Sequence, residues 1–431
     1  MEELLAARLQ MATSMVFHIV FAAIGMVMPY FMMVSHYKYL KTNDEIYLKL
    51  TKVWQNGVAI FFVVGAVSGT MLSFELGLLW PEFMKHAGPI IGMPFSLEGT
   101  AFFVEAIALG FYLYGWKKIK NKWFHWWTGA IVGISGVTSG ILVVAANGWM
   151  NAPSGFDFVN GEFLNIDPIA ALFNEAWFSQ ALHMTLAAFT AVGFAVGGLH
   201  LFQYRKNKKT LHKKAYEIAL IFGVIAAILI PISGDIAAKD VAVRQPAKLA
   251  AMEAHYETED GADLIIGGIV NEEKKQVDYA IRIPGALSFL AFNDFKATVK
   301  GLNEFPEDEI PPVAITHYSF QIMVGIGTFL MFIGFLYLIS FKKKSWRDKK
   351  LFALLFIAAT PLGFIALEAG WFVTELGRQP WIIHGVMKTK DAVTPVQGMQ
   401  FSFYLYTLIY ASLAVTVFWL MNRQIKKLNA E

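Results

Sequence analysis

Cysteine is absent from this 431-residue chain. Its absence excludes disulfides, thiolate-ligated iron–sulfur clusters and haem attached through a Cys-x-x-Cys-His motif. Any redox cofactor must therefore be held by His, Met or carboxylate side chains. Charged residues are also scarce, at 16% of the chain, whereas hydrophobic residues make up 56%. This balance is typical of integral membrane proteins rather than soluble domains.

Nine apolar stretches are long enough to cross about 30 Å of hydrocarbon as helices. They cover residues 11–34, 53–79, 94–115, 124–147, 172–204, 216–236, 313–341, 350–373 and 399–421. The sequence therefore predicts an all-α, polytopic bundle of nine transmembrane helices. We find no convincing internal repeat.

Lysine and arginine are distributed unevenly between the loops. The loops after the first, third, fifth and seventh stretches are rich in basic residues, whereas residues 148–171 contain none. By the positive-inside rule, the amino terminus faces outward and the carboxyl terminus faces the cytoplasm. The basic residues thus indicate topology, and we expect no nucleic-acid partner. The start of the chain, MEELLAARLQ, is acidic and has no obvious cleavage site, so we expect the first span to remain uncleaved.

Residues 237–312 form a long polar stretch that faces outward in this topology. Long loops of this kind are usually functional or disordered. We therefore divide the chain into a six-helix membrane half at 1–236, an outward-facing loop at 237–312 and a three-helix membrane half at 313–431.

Three candidate iron ligands lie within the apolar stretches, namely His18, His183 and Met323. Metal-binding side chains are costly in a bilayer, which makes function the default hypothesis for them. The rise of an α-helix places His183 and Met323 at a similar depth, about 15 Å below the outer surface. An imidazole and a thioether at equal depth fit a low-spin haem held between helices. Packing for Met323 and a hydrogen-bonded core position for His18 are the alternatives. His200, near the cytoplasmic end of its stretch, is a weaker candidate.

Buried carboxylates provide a second indication. Glu98 and Glu105 are seven residues apart, which places them on one face of a helix, and Glu368 and Glu375 repeat this spacing. Because burying an ionised carboxylate is expensive, such pairs indicate proton handling or iron ligation. Capping or pairing across helices is the alternative. Arg378 follows Glu375 at the outer membrane end, where its charge would offset that of the carboxylate.

Two other classes of membrane protein remain open at this stage. A secondary transporter would also have buried glutamates and a long outer loop, but it would bind no stoichiometric haem. A haem–copper oxidase would need several histidines near a copper site. Only His18, His183 and His200 are placed within the membrane, which argues against that class.

Several motifs resemble those of subunit I of cytochrome bd quinol oxidases, in the form with a short quinol loop. GRQPW, at Gly377–Trp381, is preceded by EAGWF, at Glu368–Phe372. Further blocks occur in the family order: LEGTAFFVE (97–105), ANGWMNAP (146–153), KLAAME (248–253) and SFQIMVG (319–325). The resemblance covers essentially the whole chain, and the order of the motifs makes it specific.

The resemblance implies two haems b, one low-spin and one high-spin, and a third haem that is either d or b. It gives His183 and Met323 as the axial ligands of the low-spin haem b. His18 and Glu375 match the proximal ligands of the two high-spin centres, and which ligand serves which haem is left open. The remaining matches are Glu98 on the oxygen-facing side, Trp371 between the haems, and Arg378 beside haem propionates or Glu375.

The resemblance also implies a proton path and a quinol site. Glu105 and Ser139 correspond to members of the path, although Ala106 replaces a relay residue. Lys248 and Glu253 correspond to the quinol site in the outer loop. Independently, a quinol needs a base for its phenolic proton and a donor for its ring oxygen, which suits these residue types. A solvated charged pair is the alternative.

The implied function is that of a quinol:oxygen oxidoreductase. Quinol would be oxidised at the outer loop, and electrons would pass through the low-spin haem to the high-spin pair, where O2 is reduced to water. Protons would leave outward and enter from the cytoplasm, which conserves energy without a pump. We expect a second membrane subunit, a small single-span subunit, and a bacterial or archaeal cytoplasmic membrane location.

Overall fold

The structure is a computed structural model that describes residues 2–343 and 345–430, apart from the side chains of residues 348, 427, 429 and 430. Among the basic residues behind the topology prediction, Lys344 lies outside the described residues, as does the side chain of Lys427. From the amino end the elements are α1 (Glu3–Thr42), α2 (Glu45–Leu79), α3 (Pro81–Gly115), α4 (Lys122–Asn151), β1 (Asp157–Val159), β2 (Glu162–Leu164), α5 (Pro168–Leu172), α6 (Trp177–Asn207) and α7 (Thr210–Arg244).

The outer loop and the carboxyl-terminal part follow. The loop contains α8 (Pro246–Glu253), β3 (Glu259–Asp260), β4 (Leu264–Ile266), β5 (Ile269–Asn271), β6 (Gln276–Asp278), β7 (Ile281–Ile283), α9 (Ala286–Phe292) and β8 (Thr298–Val299), with 3₁₀ turns at Leu302–Glu304 and Glu307–Glu309. The last part contains α10 (Val313–Lys342), α11 (Ser345–Asp348), α12 (Lys350–Ala358), α13 (Leu362–Leu376), β9 (Trp381–Ile383), β10 (Met387–Lys388), α14 (Thr389–Ala392) and α15 (Met399–Ala430).

Nine spans long and apolar enough to cross a membrane occur within the described part of the chain, as predicted. They are α1 to α4, α6, α7, α10, the pair α12 and α13, and α15. Most extend beyond the predicted limits. Polar side chains cap the start of two of them. The Asp44 side chain accepts a hydrogen bond from the Ile46 amide at the start of α2, and Asn121 accepts from Trp123 and Phe124 at the start of α4.

The eighth span differs from the prediction of one uninterrupted stretch over 350–373. It breaks between α12 and α13, where Pro361 directly precedes the second helix. Proline lacks an amide donor and clashes with the preceding turn, which interrupts a helix. The neighbouring Thr360 packs against Gly198 of α6, where an added Cβ would come within 2.2 Å of the Thr360 hydroxyl oxygen.

The membrane helices contain a repeated hairpin, although no internal repeat was predicted from the sequence. The α6–α7 hairpin repeats the α1–α2 hairpin with a shift of 165 positions: α2 begins at 45 and ends at 79, whereas α7 begins at 210 and ends at 244. The left-handed residues that end α1 and α6, Asn43 and Lys208, obey the same shift. Few residues are identical between the two hairpins at this shift.

The spans form two groups that meet in a shared core. In the first, α1, α2, α3 and α4 pack on one another, and in the second, α6, α7, α10 and α13 do so. A large buried cluster, which includes Phe31, Tyr112 and Val192, joins residues of both groups. The α15 helix packs outside, on α1 and α2. The helices that flank the outer loop therefore pack together despite their separation in sequence.

The outer loop folds onto the start of α10. Its strands form short antiparallel pairs, β3 with β8, β4 with β7 and β5 with β6. The His317 ring bonds to the Met252 carbonyl through Nδ1 at 2.8 Å, and Gln321 donates to the Ile265 carbonyl at 2.8 Å. Both contacts fix the loop, including α8, over the amino-terminal end of α10 in the second helix group.

Candidate functional site

His18 is held by a serine on the neighbouring helix. Its Nδ1 lies 2.8 Å from the Ser68 hydroxyl of α2. The Ser68 hydroxyl also donates to the Val64 carbonyl at 2.8 Å within its own helix. Gly69, next along α2, leaves room for the ring, because an added Cβ there would lie 3.0 Å from Cε1 of His18.

His183 has the same arrangement in the second helix group. Its Nδ1 lies 2.9 Å from the Ser233 hydroxyl of α7, and that hydroxyl donates to the Ile230 carbonyl at 2.8 Å. Gly234 again follows the serine and faces the imidazole, with 3.6 Å between its ideal Cβ and Cε1 of the ring. The two sites are related by the shift of 165 positions between the hairpins.

The two hydrogen-bond patterns fix the same tautomer for both rings. A serine hydroxyl can donate only one hydrogen bond, and here it donates that bond to a backbone carbonyl. Its oxygen must therefore accept a hydrogen bond from Nδ1–H of the imidazole. The Nε2 atom then keeps a lone pair, which is the arrangement found in metal-ligating histidines whose other nitrogen is bonded to an outer-shell group. Both rings therefore fit haem iron. Ser68 and Ser233 were missed from the sequence, although each begins a Ser-Gly pair 50 residues after its histidine.

Met323 lies on α10 against α13. Its sulfur would be 3.0 Å from a Cβ built on Gly370, so the absence of a side chain at Gly370 makes room for the thioether. Trp371, the next residue, packs against the central core cluster. Met323 and His183 therefore belong to the same helix group, on α10 and α6. By contrast, His200 has ring contacts through both nitrogens, Nδ1 to His212 and Nε2 to Trp54, which disfavours it as a ligand.

Glu375 and Arg378 form an ion pair at the end of α13. One Glu375 oxygen lies 2.7 Å from Nη2 of Arg378, and the other accepts from the Asn147 side chain of α4 at 2.6 Å. Arg378 is only 3% exposed, and its Nε and Nη1 have no hydrogen-bond partner among the described residues. Unused buried guanidinium donors suit anionic carboxylates such as haem propionates. This pair joins the two helix groups.

Lys248 lies against the GRQPW segment. Gly377 permits this contact, because an added Cβ would come within 3.0 Å of Cγ of Lys248. The ammonium donates to the Thr374 carbonyl at 3.3 Å. Burial lowers the pKa of Lys248 to about 7, with the Arg378 charge acting in the same direction and Glu375 opposing it. The candidate quinol lysine and the Glu375–Arg378 pair thus form one electrostatic unit.

Glu253 is fully buried at the end of α8. Neither carboxylate oxygen makes a hydrogen bond of good geometry with a described residue. The Ile265 backbone nevertheless lies close enough to stabilise the charged form of the carboxylate. Burial raises the pKa of the Glu253 carboxyl to about 8, and the Ile265 backbone lowers it less strongly. The carboxyl is therefore mainly protonated at neutral pH, and it titrates near physiological pH, which suits a proton acceptor.

Glu98, Glu105 and Ser139 come together between α3 and α4. The Ser139 hydroxyl donates to Glu98 at 3.0 Å. Glu105 is 8% exposed and lies beside Gly136, with both oxygens 3.6 Å from an ideal Cβ there. The two carboxylates are close enough for their charges to interact. The predicted shared face is confirmed for this pair.

The two carboxylates of the second predicted pair, Glu368 and Glu375, differ in their hydrogen-bond partners. Glu375 has Arg378 and Asn147 as partners, whereas neither oxygen of Glu368 has a partner among the described residues. Glu368 therefore needs either a proton or a further group to balance it inside the membrane.

Comparisons with known proteins agree over the whole chain. The family model described as cytochrome bd terminal oxidase subunit I matches residues 6–429. A "Putative cytochrome bd menaquinol oxidase subunit I" of Bacillus subtilis (strain 168) is 35% identical, covering 99% of this chain and 97% of the relative. A "Cytochrome bd ubiquinol oxidase subunit 1" of the same organism is 30% identical, covering 99% and 94%. The solved bd oxidase of Geobacillus thermodenitrificans superimposes with a TM-score of 0.93 at 37% identity, covering 99% of both chains.

Proposed function

This chain belongs to the cytochrome bd terminal oxidase subunit I family, and on that premise we propose that it is the haem-bearing subunit of an oxidase that oxidises membrane quinol and reduces O2 to water. Family membership implies haem cofactors, a quinol substrate and a second subunit. We further propose that the reaction builds a transmembrane proton gradient without pumping. Its Bacillus relatives are named for different quinols, so both menaquinol and ubiquinol remain candidate substrates.

The observation that carries the proposal is the pair of imidazoles locked in one tautomer by Ser68 and Ser233. Each Nε2 is free to bind iron, and haem would supply electron transfer and oxygen binding. His183 and Met323 would hold the low-spin haem b, whereas His18 and Glu375 would hold the high-spin haems. Trp371 would lie between haems, and Arg378 would receive propionates with its two unused donors.

On the quinol side, Glu253 would accept a phenolic proton and Lys248 would position the ring oxygen. The carboxyl and the ammonium are both buried in the outer loop, and both have pKa values shifted toward neutrality. Each can therefore exchange a proton near pH 7 at little free-energy cost. Release of the proton from this loop would place it on the outer side of the membrane.

On the oxygen side, Glu98, Glu105 and Ser139 would hold and transfer the protons consumed in forming water. The hydrogen bond between Ser139 and Glu98 supports this role, as does the position of Glu105 beside Gly136, three residues before Ser139 on α4. A small single-span subunit and a bacterial or archaeal cytoplasmic membrane location complete the proposal.

Purification of the complex and measurement of quinol-dependent oxygen uptake tests this function. We expect uptake that requires quinol and a visible haem spectrum in the same preparation. A haem-containing complex that consumes no oxygen with either menaquinol or ubiquinol analogues would contradict the proposed reaction.

A further inference from the structure

The end of the first helix group opposite the quinol loop contains a buried cluster of ionisable side chains that the proposed function does not use. His36 is 1% exposed, Tyr112 is 0% exposed and His125 is 4% exposed. The Tyr112 hydroxyl lies 3.0 Å from Nδ1 of His36, and Nε2 of His125 lies 2.8 Å from the Tyr112 carbonyl. Two imidazoles and a phenol thus meet inside the bundle.

This cluster, His36, Tyr112 and His125, lies beneath the basic rim of the membrane domain. His125 is in the first turn of α4, which begins at Lys122, and the preceding loop contains Lys117, Lys118 and Lys120. The Trp116 ring lies 5.1 Å from His36 and 4.6 Å from His125, between centroids. In the proposed topology this rim faces the cytoplasm, so the cluster lies at the entrance for protons that are consumed in forming water.

A row of glycines on α4 connects the cluster to Glu105. Tyr112 lies at Gly129, where an added Cβ would be 2.7 Å from its ring, and the Tyr30 ring lies at Gly133, at 3.1 Å. Glu105 follows at Gly136. The steps from 125 to 129, 133 and 136 are three or four residues, which keeps all of these contacts on one helix face.

Each step corresponds to about 4.5–6 Å along the helix axis, from the rise of 1.5 Å per residue. Bridging waters would complete the path between the side chains at these levels. Imidazole and phenol groups both donate and accept hydrogen bonds, so each can receive a proton on one side and release one on the other. The side chains of α1 and α3 that face the α4 glycines thus supply proton-exchanging groups at successive levels.

Building on the proposed function, we propose that His36, His125, Tyr112 and Tyr30 form the entry half of the path that delivers cytoplasmic protons to Glu105. A proton received at Nε2 of His36 is passed on as the Nδ1–H bond of the same ring breaks and an O–H bond forms at the Tyr112 hydroxyl, 3.0 Å away. The hydroxyl proton of Tyr112 moves ahead to the next acceptor, so the relay undergoes no net change in bonds or electrons. The four residues act through Glu105 and do not touch oxygen.

The test uses the complete complex in proteoliposomes, with Tyr112→Phe, Tyr30→Phe and His36→Gln compared with Tyr114→Phe. Tyr114 is on the same helix as Tyr112 but is 76% exposed, so it serves as a matched control. We expect Tyr112→Phe and His36→Gln to lower kcat for oxygen uptake about tenfold or more, with a larger solvent deuterium isotope effect. The KM for quinol, the haem spectrum and anaerobic haem reduction by quinol should stay unchanged, as should all properties of Tyr114→Phe.

Wild-type turnover in haem-replete Tyr112→Phe and His36→Gln complexes would overturn the relay. If Tyr112→Phe fails to assemble with haem, His36→Gln and Tyr30→Phe serve as the test. Wild-type turnover and a wild-type isotope effect in both of these variants would overturn the relay. A wild-type complex without quinol-dependent oxygen uptake would instead contradict the proposed function, so the two failures are distinguishable.

Discussion

At the scale of single residues, the orientation of the two histidine rings determines which of their nitrogens can bind iron. Ser68 and Ser233 each accept a hydrogen bond from Nδ1–H of an imidazole and donate one to a backbone carbonyl. Hydrogen bonds of this kind fix the ring orientation and leave Nε2 as the ligand. The serines are therefore positioning residues for the proposed iron ligands.

Replacing Ser68 with alanine should loosen the proposed iron site at His18. Loss of an outer-shell partner typically costs about 10–100-fold in metal affinity, so Ser68→Ala should lose haem during purification. Ser73→Ala is the matched control, because Ser73 is exposed on the same helix and donates only to its own helix, at the Gly69 carbonyl. Haem per complex, measured as the pyridine haemochrome, should fall only for Ser68→Ala. Equal haem contents would argue against the positioning role.

Quinol oxidation should increase with pH through about 8. The Glu253 pKa is raised to about 8 by burial, so the carboxylate that would accept the quinol proton becomes populated as the pH rises through that value. Glu253→Gln should slow quinol oxidation and remove this increase without removing haem. The initial rate of quinol oxidation at limiting quinol, measured from pH 6 to 9, tests this.

Glu273→Gln serves as the control for Glu253→Gln, because Glu273 is an exposed carboxylate of the same loop. Its pH profile should match that of the wild type. A Glu253→Gln complex that retains the wild-type rate and profile would show that Glu253 is not the proton acceptor.

At the scale of helices, close packing depends on glycines, which have no side chain at the contact between two helices. In the α6–α7 hairpin, an added Cβ on Gly193 would lie 2.4 Å from Cα of Gly223. Small residues allow membrane helices to approach in this way, and the resulting van der Waals contact drives their association. The hairpin carries His183, so its packing also positions a proposed ligand.

Gly193→Ala should therefore destabilise the complex even though alanine favours helices. Overpacking typically costs about 1–3 kcal/mol, which exceeds the gain of about 1 kcal/mol from replacing glycine in a helix. Gly110→Ala, in α3, is the control, because no atom lies within 4 Å of its added Cβ. We expect a lower Tm for Gly193→Ala and an equal or higher Tm for Gly110→Ala. A wild-type Tm for Gly193→Ala would contradict the close approach.

The sequence predicted the spans well because hydrocarbon thickness imposes a long apolar run on each of them. It predicted the Glu98–Glu105 face from spacing alone. The family resemblance placed Ser139 with Glu105 in a proton path, but the contact between Ser139 and Glu98 was not predicted. The sequence did not reveal Ser68 and Ser233, since a serine on an apolar helix gives no sign of its partner on another helix. The repeated hairpin was equally hidden, and it became evident only from matching helix limits and capping residues.

At the scale of the whole molecule, orientation in the membrane determines whether the chemistry stores energy. The chain has no cysteine, so a thiol reagent can label this chain only at a cysteine that is introduced. Labelling therefore reports on which side of the membrane that position lies. We expect Glu162→Cys, in the exposed β1–β2 hairpin, to react with a membrane-impermeant maleimide in intact cells. Lys120→Cys, in the basic loop between α3 and α4, should react only after permeabilisation. The reverse pattern would invert the proposed topology.

The reduced-minus-oxidised spectrum of the purified complex carrying Met323→Leu tests most directly whether side chains of separate helices hold haem iron. We expect this variant to lack the low-spin haem b signal, or to convert it to high-spin, while the high-spin signals persist. Met331→Leu, on the same helix, should retain the wild-type spectrum. An unchanged low-spin signal in Met323→Leu would contradict the assignment of Met323 as an iron ligand, and a colourless wild-type complex would contradict haem binding altogether.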